Sequence, residues 1–235
     1  MKKGIFFDLY GTLIDILTDE YDLRVYSTLS QFLSYHLVKI DPEKLRATYF
    51  GETQYHLNRS KEPYPEVDLY EVFSNMMHRF GNRAYSNSMI IDTAMLFRSL
   101  TMRHFDIFAG LYEVLTSLAE KYELGVISDA QWIFAEPEME MLNLAPFFKT
   151  RVLSSRIGFK KPDARLFNIA MERLATKPEE SVYIGDNPQK DLVGAKKAGM
   201  KFILFRAENL SYGEFKPDRC FNSYSELGKI IGEID

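Results

Sequence analysis

Ile5-Phe6-Phe7 runs straight into Asp8, and Leu9-Tyr10-Gly11-Thr12 follows at once. An apolar run that ends in a carboxylate and then turns is how a buried strand delivers one acid to its own end, although Asp is also a common turn residue. Three later stretches have the same form. Leu124-Gly125-Val126-Ile127 leads into Ser128 and Asp129, and Arg151-Val152-Leu153 is followed by Gly158-Phe159-Lys160-Lys161-Pro162-Asp163. Ser181-Val182-Tyr183-Ile184 opens into Gly185-Asp186-Asn187-Pro188-Gln189-Lys190-Asp191. Singly, these residues have ordinary roles open to them: Ser128 as a helix cap, Lys161 as a solvated loop lysine, Asp191 as the N-cap of its helix. Together they are a chemical set. Asp8 and Asp186 bring two carboxylates together with Asp191 close behind, and packed like charges must share a proton or be offset by a cation. Oxygen ligands with some water suit Mg²⁺. Lys161 adds fixed positive charge and Ser128 a hydroxyl donor. Such a set suits a phosphoryl group, with Asp8 able to attack it and form an aspartyl-phosphate.

The elements that must position these residues alternate. After the first strand the apolar spacing is helical from about Leu17 to about Leu100. Val25, Leu29, Phe32, Leu33 and Leu37 make one face. Asp41-Pro42 reads as an N-cap with Pro at the first helical position, opening a second helix through Leu45 and Tyr49. Asp68 caps a third helix that Gly81 stops, and a fourth runs from about Asn87 to Leu100. This is the pattern of a small helical bundle whose aromatic and Met residues are its own core or a lining shared with its neighbour. From about Arg103, helices (Leu111 to Leu118, Glu138 to Leu144, Ala164 to Leu174, Asp191 to Ala198, Ser225 to Ile231) alternate with strands (Leu124 to Ser128, Arg151 to Leu153, Ser181 to Gly185, Phe202 to Phe205). The expected fold class is therefore α/β, a Rossmann-like parallel sheet with helices on both faces, plus an inserted all-α domain. Residues 1–15 and 101–235 would form the discontinuous sheet domain and 16–100 the insert. Ligands of such sheets bind at the carboxyl ends of the strands, where all four stretches lead.

The totals set limits. The chain has 235 residues, 46% hydrophobic and 26% charged, with a net charge of −4. That is ordinary for a globular protein, and with basic residues scattered it points to no nucleic acid and no anionic membrane. No stretch approaches the roughly 20 apolar residues of a membrane span. The single cysteine, Cys220, permits no internal disulfide. It reads as a buried or half-buried thiol, and a reducing, cytoplasmic location is expected. The start of the chain leads directly into the first strand and does not have the form of a signal peptide. Asn58-Arg59-Ser60 and Asn209-Leu210-Ser211 match the glycosylation pattern by chance. His36, His56, His78 and His104 lack metal-ligand spacing.

The four stretches resemble the haloacid dehalogenase-like hydrolases. Asp8-Leu9-Tyr10-Gly11-Thr12 is similar to motif I of that family, Ser128 to motif II, Lys161-Pro162 to motif III and Gly185 through Asp191 to motif IV, in the family's order and spacing. Gly194-Ala195 and Ala198-Gly199-Met200 match the helix that follows motif IV. The resemblance covers the sheet domain, and the insert looks like the family's helical C1 cap. It implies Asp8 as nucleophile and Thr12, Ser128, Asp129 and Lys161 as the phosphate-binding and substrate-binding set. Asp8, Asp186 and the backbone carbonyl of Tyr10 would ligate Mg²⁺, with Asn187 and Asp191 supporting them. The substrate would be a small phosphorylated molecule, enclosed when the cap closes. The protein would be a monomer or homodimer.

Tyr10 departs from the phosphatase pattern. Phosphatases of this family usually carry a second aspartate there, which protonates the leaving alcohol and then activates water. Losing such an acid–base typically costs about 10²- to 10⁴-fold, and with a pKa near 10 a tyrosine is a poor substitute base. The catalytic residues are accordingly Asp8, Lys161 and, with that reservation about its chemistry, Tyr10. A tyrosine here is what the 2-haloacid dehalogenase branch of the family carries, in which Asp8 would attack carbon without a metal. That branch also needs a cap arginine. Arg24 or Arg46 is available, though each reads more simply as a solvated helix residue. Motif IV, with its acidic pair, favours a Mg²⁺-dependent phosphatase. A metal-independent dehalogenase is the alternative, and a catalytically weak phosphate-binding or regulatory protein the third reading. Among cap residues, Tyr21, Tyr26, Tyr49, Tyr55, His56 and Tyr64 are pocket candidates or simply cap core and surface, and Trp132 either faces the cap or packs.

Overall fold

The computed structural model of the chain describes residues 3–206 and 212–234. The Asn209-Leu210-Ser211 match lies outside them. At the centre is β1 (Gly4–Phe7), whose four residues are all buried. A strand covered on both faces must be apolar throughout, and Ile5, Phe6 and Phe7 meet that demand at about 1.5–3 kcal/mol of burial each. On one side of β1 stand β4 (Glu123–Ser128) and then β5 (Thr150–Leu153). On the other stand β6 (Ser181–Gly185), β7 (Lys201–Phe205) and the short β8 (Arg219–Phe221). All neighbouring pairs run parallel. Such pairing requires crossovers, and α5 (Leu111–Ala119), α6 (Trp132–Met141), α8 (Ala164–Leu174), α9 (Val193–Lys197) and α10 (Tyr224–Ile234) supply them or pack on the sheet. A single turn, α7 (Ser154–Ile157), follows β5. The expected Rossmann-like α/β fold is present.

Four helices lie between the first two stretches of sheet: α1 (Leu23–Tyr35), α2 (Pro42–Arg59), α3 (Leu69–Phe80) and α4 (Asn87–Thr101). Asp22, Asp41 and Asp68 cap the first three by accepting backbone N–H bonds from Arg24, Lys44 and Tyr70. Their shared core is aromatic. The rings of Tyr26, Tyr49 and Phe73 lie 5.8, 4.8 and 5.4 Å from that of Phe97. Tyr26 and Tyr49 are therefore core residues, while Tyr21, Tyr55 and Tyr64 are exposed. Ile133 and Phe134 of α6 complete this core from the sheet side.

Several local expectations are corrected. Ile14–Thr18 and Met102–Ile107 are strands, β2 and β3, paired antiparallel, so the helical run does not begin at Leu17. Leu37 lies beyond the end of α1 at φ 65° and is half-exposed. The helix expected at Glu138 begins at Trp132 and carries Pro137 inside it, which puts Glu138 mid-helix. Residues 188–192 form a π-helical turn before α9, capped by Asn187 rather than Asp191. Cys220 sits on the edge strand β8 and is exposed, not buried.

A seam joins the α2–α3 connection to the loops beyond β4 and β5. Lys160 N–H donates to the Tyr64 carbonyl (2.8 Å) and Glu66 N–H to the Gly158 carbonyl (3.1 Å), an antiparallel bridge centred on Pro65 and Phe159. Ser154 Oγ donates to Glu66 (2.6 Å), and the Gln131 side chain bonds both the Val67 carbonyl and Leu69 N–H. Trp132 Nε1 donates to Asp68, so Trp132 packs at this seam. Burial pushes the Glu66 carboxyl up, against the hydrogen bond from Ser154 and the charge of Lys160.

Candidate active site

Asp8 follows β1 directly, and its N–H still donates to the Ile184 carbonyl (2.8 Å), continuing the ladder with β6. The backbone then turns at Gly11, with φ +82°. A Cβ at Gly11 would stand 2.7 Å from Asp186 Oδ2, so the glycine admits the neighbouring carboxylate as well as the turn. Asp8 Oδ1 accepts Leu9 N–H (2.8 Å) and the Lys161 ammonium (2.9 Å).

Lys161 is 3% exposed. Its Nζ lies 2.6 Å from Asp191 Oδ1 and 3.0 Å from the Tyr183 hydroxyl, which in turn donates to the Ile127 carbonyl (2.7 Å). Its backbone N–H donates to Asp129 Oδ1 (2.8 Å), and the Lys161–Pro162 bond is cis. Burial opposes the lysine's charge, but Asp191, Asp8 and Asp129 outweigh it and hold its pKa above the usual lysine value. Burial pushes Asp191 up, Lys161 pulls it down, and Asp8 pushes it up again, for a net rise. The ammonium remains charged and bonds two carboxylates, Asp8 and Asp191. Asp186 is also pushed up, by burial and then by Asp8, with the hydrogen bond from Thr12 Oγ1 (3.0 Å) working the other way.

Asp8, Tyr10, Ser128, Asp129, Lys161, Asp186, Asn187, Lys190 and Asp191 line one cavity of about 160 Å³. The four strand ends thus converge. Thr12 does not line this cavity; it is fully buried and gives its hydroxyl to Asp186. Asn187 caps the following turn through Gln189 and Lys190 N–H, while its own N–H bonds Asp191 Oδ2 (3.0 Å). Lys190 reaches Asp129 (3.3 Å).

Oxygen atoms of Asp8, Asp186 and Asp191 all lie within 4.8 Å of one another. One ammonium, Lys161, bonds two of these three carboxylates, and Asp186 takes the Thr12 hydroxyl instead, so the cluster carries more acids than cations. Hard oxygen donors in that arrangement fit a small divalent cation.

Two residues beside Tyr10 escaped the sequence reading. Its hydroxyl donates to Glu138 Oε2 (2.5 Å), and Glu138 forms a two-point bond with Arg98, at 2.6 Å from Nε and 3.3 Å from Nη2. The Arg98 guanidinium stands 5.4 Å from the centre of the Tyr10 ring and 5.2 Å from that of Phe134. Burial, then the Glu138 charge, push the Tyr10 hydroxyl well above its ordinary pKa, with Arg98 opposing. Arg24 instead pairs with Asp22 at the exposed start of α1, and Arg46 bonds the Tyr21 carbonyl. The helix arginine beside Tyr10 is Arg98. Tyr183, behind Lys161, is the other residue missed.

Known proteins resemble this chain in sequence and in fold. The family model described as haloacid dehalogenase-like hydrolase matches residues 5–205. The glyceraldehyde 3-phosphate phosphatase of Methanothermobacter thermautotrophicus is 38% identical over 102 residues, 43% of this chain and 45% of that protein. The protein of the same name from Pyrococcus abyssi is 25% identical over 207 residues, 88% of this chain and 82% of its own. The chain spans about half the length of the first of these relatives. Among solved structures, a 2-haloacid dehalogenase from Pseudomonas syringae superposes with a TM-score of 0.67 at 22% identity, covering all of both chains. A HAD phosphatase from Thermococcus onnurineus gives 0.64 at 21% identity over 98% of each. At these identities the structural likeness is one of fold.

Proposed function

The chain belongs to the haloacid dehalogenase-like hydrolases, and we infer that within that family it is a Mg²⁺-dependent phosphatase acting on a small phosphorylated substrate. The observation that carries this reading is the charge imbalance of the carboxylate cluster: Asp8, Asp186 and Asp191 share Lys161, while the cavity's other ammonium, Lys190, is paired with a fourth carboxylate, Asp129. That imbalance invites a cation. A dehalogenation site, which binds a carboxylate substrate and releases halide, gains nothing from three clustered acids.

Asp8 and Asp186, with the Tyr10 backbone carbonyl, would hold the ion, with Asp191 and Asn187 behind them. When bound, it would offset the charge of the incoming phosphoryl group. Asp8 attacks phosphorus, and Lys161 with Ser128 steadies the transferred group's oxygens. Asp129 fixes the Lys161 backbone and is itself steadied by Lys190. Residues 16–100 act as a cap over the cavity, anchored by the seam to the loop that carries Lys161.

A second reading, 2-haloacid dehalogenase, has one specific support: Tyr10 with Arg98 beside it. The two are separated by p-nitrophenyl phosphate hydrolysis with Mg²⁺ and with chelator, run alongside chloride release from a 2-chloro acid. Phosphate release that chelator abolishes supports the phosphatase. Chloride release indifferent to chelator overturns it. Neither activity in folded protein favours a binding or regulatory role.

A further inference from the structure

Tyr10 lines the Asp8 cavity, but the groups that hold its hydroxyl, Glu138 and Arg98, line a different one. That second space, about 180 Å³, is walled by Met95, Phe134 and Met141 among others. The hydroxyl hydrogen is directed at Glu138 Oε2 (2.5 Å), a carboxylate 3% exposed and pinned by two bonds from Arg98. Tyr10 thus borders the Asp8 cavity while its O–H is engaged by Glu138, which is not among the residues that line that cavity. The other carboxyls lining the cavity have work of their own. Asp191 holds Lys161, Asp186 takes the Thr12 hydroxyl, and Asp129 takes Lys161 N–H and Lys190.

We propose that the Tyr10–Glu138–Arg98 unit restricts this site to phosphoryl donors whose leaving oxygen departs as a stable anion, namely acyl phosphates and phosphoanhydrides, and disfavours alkyl phosphates. The inference rests on the phosphatase reading. In the first step an Asp8 oxygen bonds to phosphorus and the bond from phosphorus to the leaving oxygen breaks. The electron pair stays on that oxygen as a carboxylate or a phosphate, which needs no proton. An alkoxide in the same place would need one, and Tyr10, whose O–H is given to Glu138, does not supply it. In the second step water attacks phosphorus and the Asp8–phosphorus bond breaks. Both water hydrogens leave on the product as dihydrogen phosphate, and the Asp8 carboxylate is restored. Glu138 and Arg98 are positioning residues here, acting on the substrate only through Tyr10.

The test compares acetyl phosphate, pyrophosphate and glycerol 3-phosphate with Mg²⁺ on the full chain, on Tyr10→Phe and on Tyr10→Asp. The expected wild-type kcat/KM for acetyl phosphate or pyrophosphate exceeds that for glycerol 3-phosphate by at least about 100-fold, the scale of a missing general acid. Whichever of the two reactive donors leads identifies the source. Tyr10→Phe should leave that ratio unchanged, because the hydroxyl it removes does not serve the leaving group. Tyr10→Asp should narrow it by about tenfold or more. Comparable rates on all three donors in the wild type overturn this inference and leave the phosphatase reading standing. So does a selective loss of glycerol 3-phosphate turnover in Tyr10→Phe. Phosphate release from none of them overturns both.

Discussion

Lys161 Nζ lies 2.6 Å from Asp191 Oδ1, and both side chains are almost wholly removed from solvent. The same ammonium reaches Asp8 at 2.9 Å, so one cation holds two strand ends, β1 and β6, against each other. Removing one partner of a buried ion pair is costlier than the pair is worth, because the other charge is stranded. Lys161→Met should therefore lower unfolding stability by about 3–5 kcal/mol and abolish turnover. Urea unfolding followed by fluorescence checks the first. A variant of wild-type stability would mean that the carboxylates are already neutral when Lys161 is absent.

The carboxylate cluster should bind Mg²⁺ and be stabilised by it. At a hundredfold excess over the dissociation constant, linkage predicts about 2.7 kcal/mol, read as a rise in melting temperature when Mg²⁺ replaces chelator. Asp186→Asn should greatly reduce that rise, because Asp186 is one of the three oxygen donors in the cluster. An equal rise in wild type and variant would place the bound ion elsewhere.

Glu138 is the acceptor for two neighbours at once, Tyr10 and Arg98. Glu138→Ala should cost about 3–5 kcal/mol by leaving Arg98 charged and unpaired in a largely buried position. Glu138→Gln keeps an acceptor oxygen and should cost less. The double replacement Arg98→Met with Glu138→Met should recover most of the loss, since well-packed apolar side chains often replace such pairs at little cost. Denaturant midpoints across this set check the ordering. A double variant no better than Glu138→Ala would refute the account.

The seam carries a pH dependence through Glu66. Its carboxyl pKa is raised in the folded protein by burial, with Asp129 adding to the rise and Ser154 and Lys160 opposing it. A carboxyl that holds its proton more tightly when folded favours folding below its unfolded pKa, about 4.3. That advantage is lost as pH rises from there through the folded value. Glu66→Gln, which stays neutral, should lack this loss. The melting temperature of Glu66→Gln relative to wild type should accordingly increase from about pH 4 to about pH 8. A difference that is flat or shrinks over that range would remove Glu66 from the seam's electrostatics.

What the sequence discloses follows from periodicity and distance along the chain. β1, β4 and β6 are continuous apolar runs with polar residues directly beyond them, so both strand and site residue are legible in Ile5 to Asp8 or Ser181 to Asp186. Asp41 and Asp68 announce their helices because capping is a local bond. β2 and β3 are not legible. Residues such as Asp15 and Leu17 carry no clear alternation, and the two strands are held only by each other. Glu138 lies in the run Glu136-Pro137-Glu138-Met139-Glu140, whose charges read as a solvated face, and Arg98 ends an amphipathic helix like many surface arginines. Their meeting at Tyr10 spans 128 and 40 residues along the chain, and no local pattern encodes it. Tyr183 is hidden for the opposite reason: inside an apolar strand its hydroxyl looks incidental, yet it supports Lys161.

The bridge between Pro65 and Phe159 ties access to readiness. The Lys160 amide that bonds the Tyr64 carbonyl belongs to the residue immediately before Lys161. Any swing of the four helices away from the sheet at this edge must release that amide, next to the Lys161 N–H that Asp129 holds. Such a motion would free one end of the loop that carries Lys161, and re-forming the bridge would tie it down again. Hydrogen exchange at Glu66 and Lys160 should rise and fall together, since one opening event exposes both.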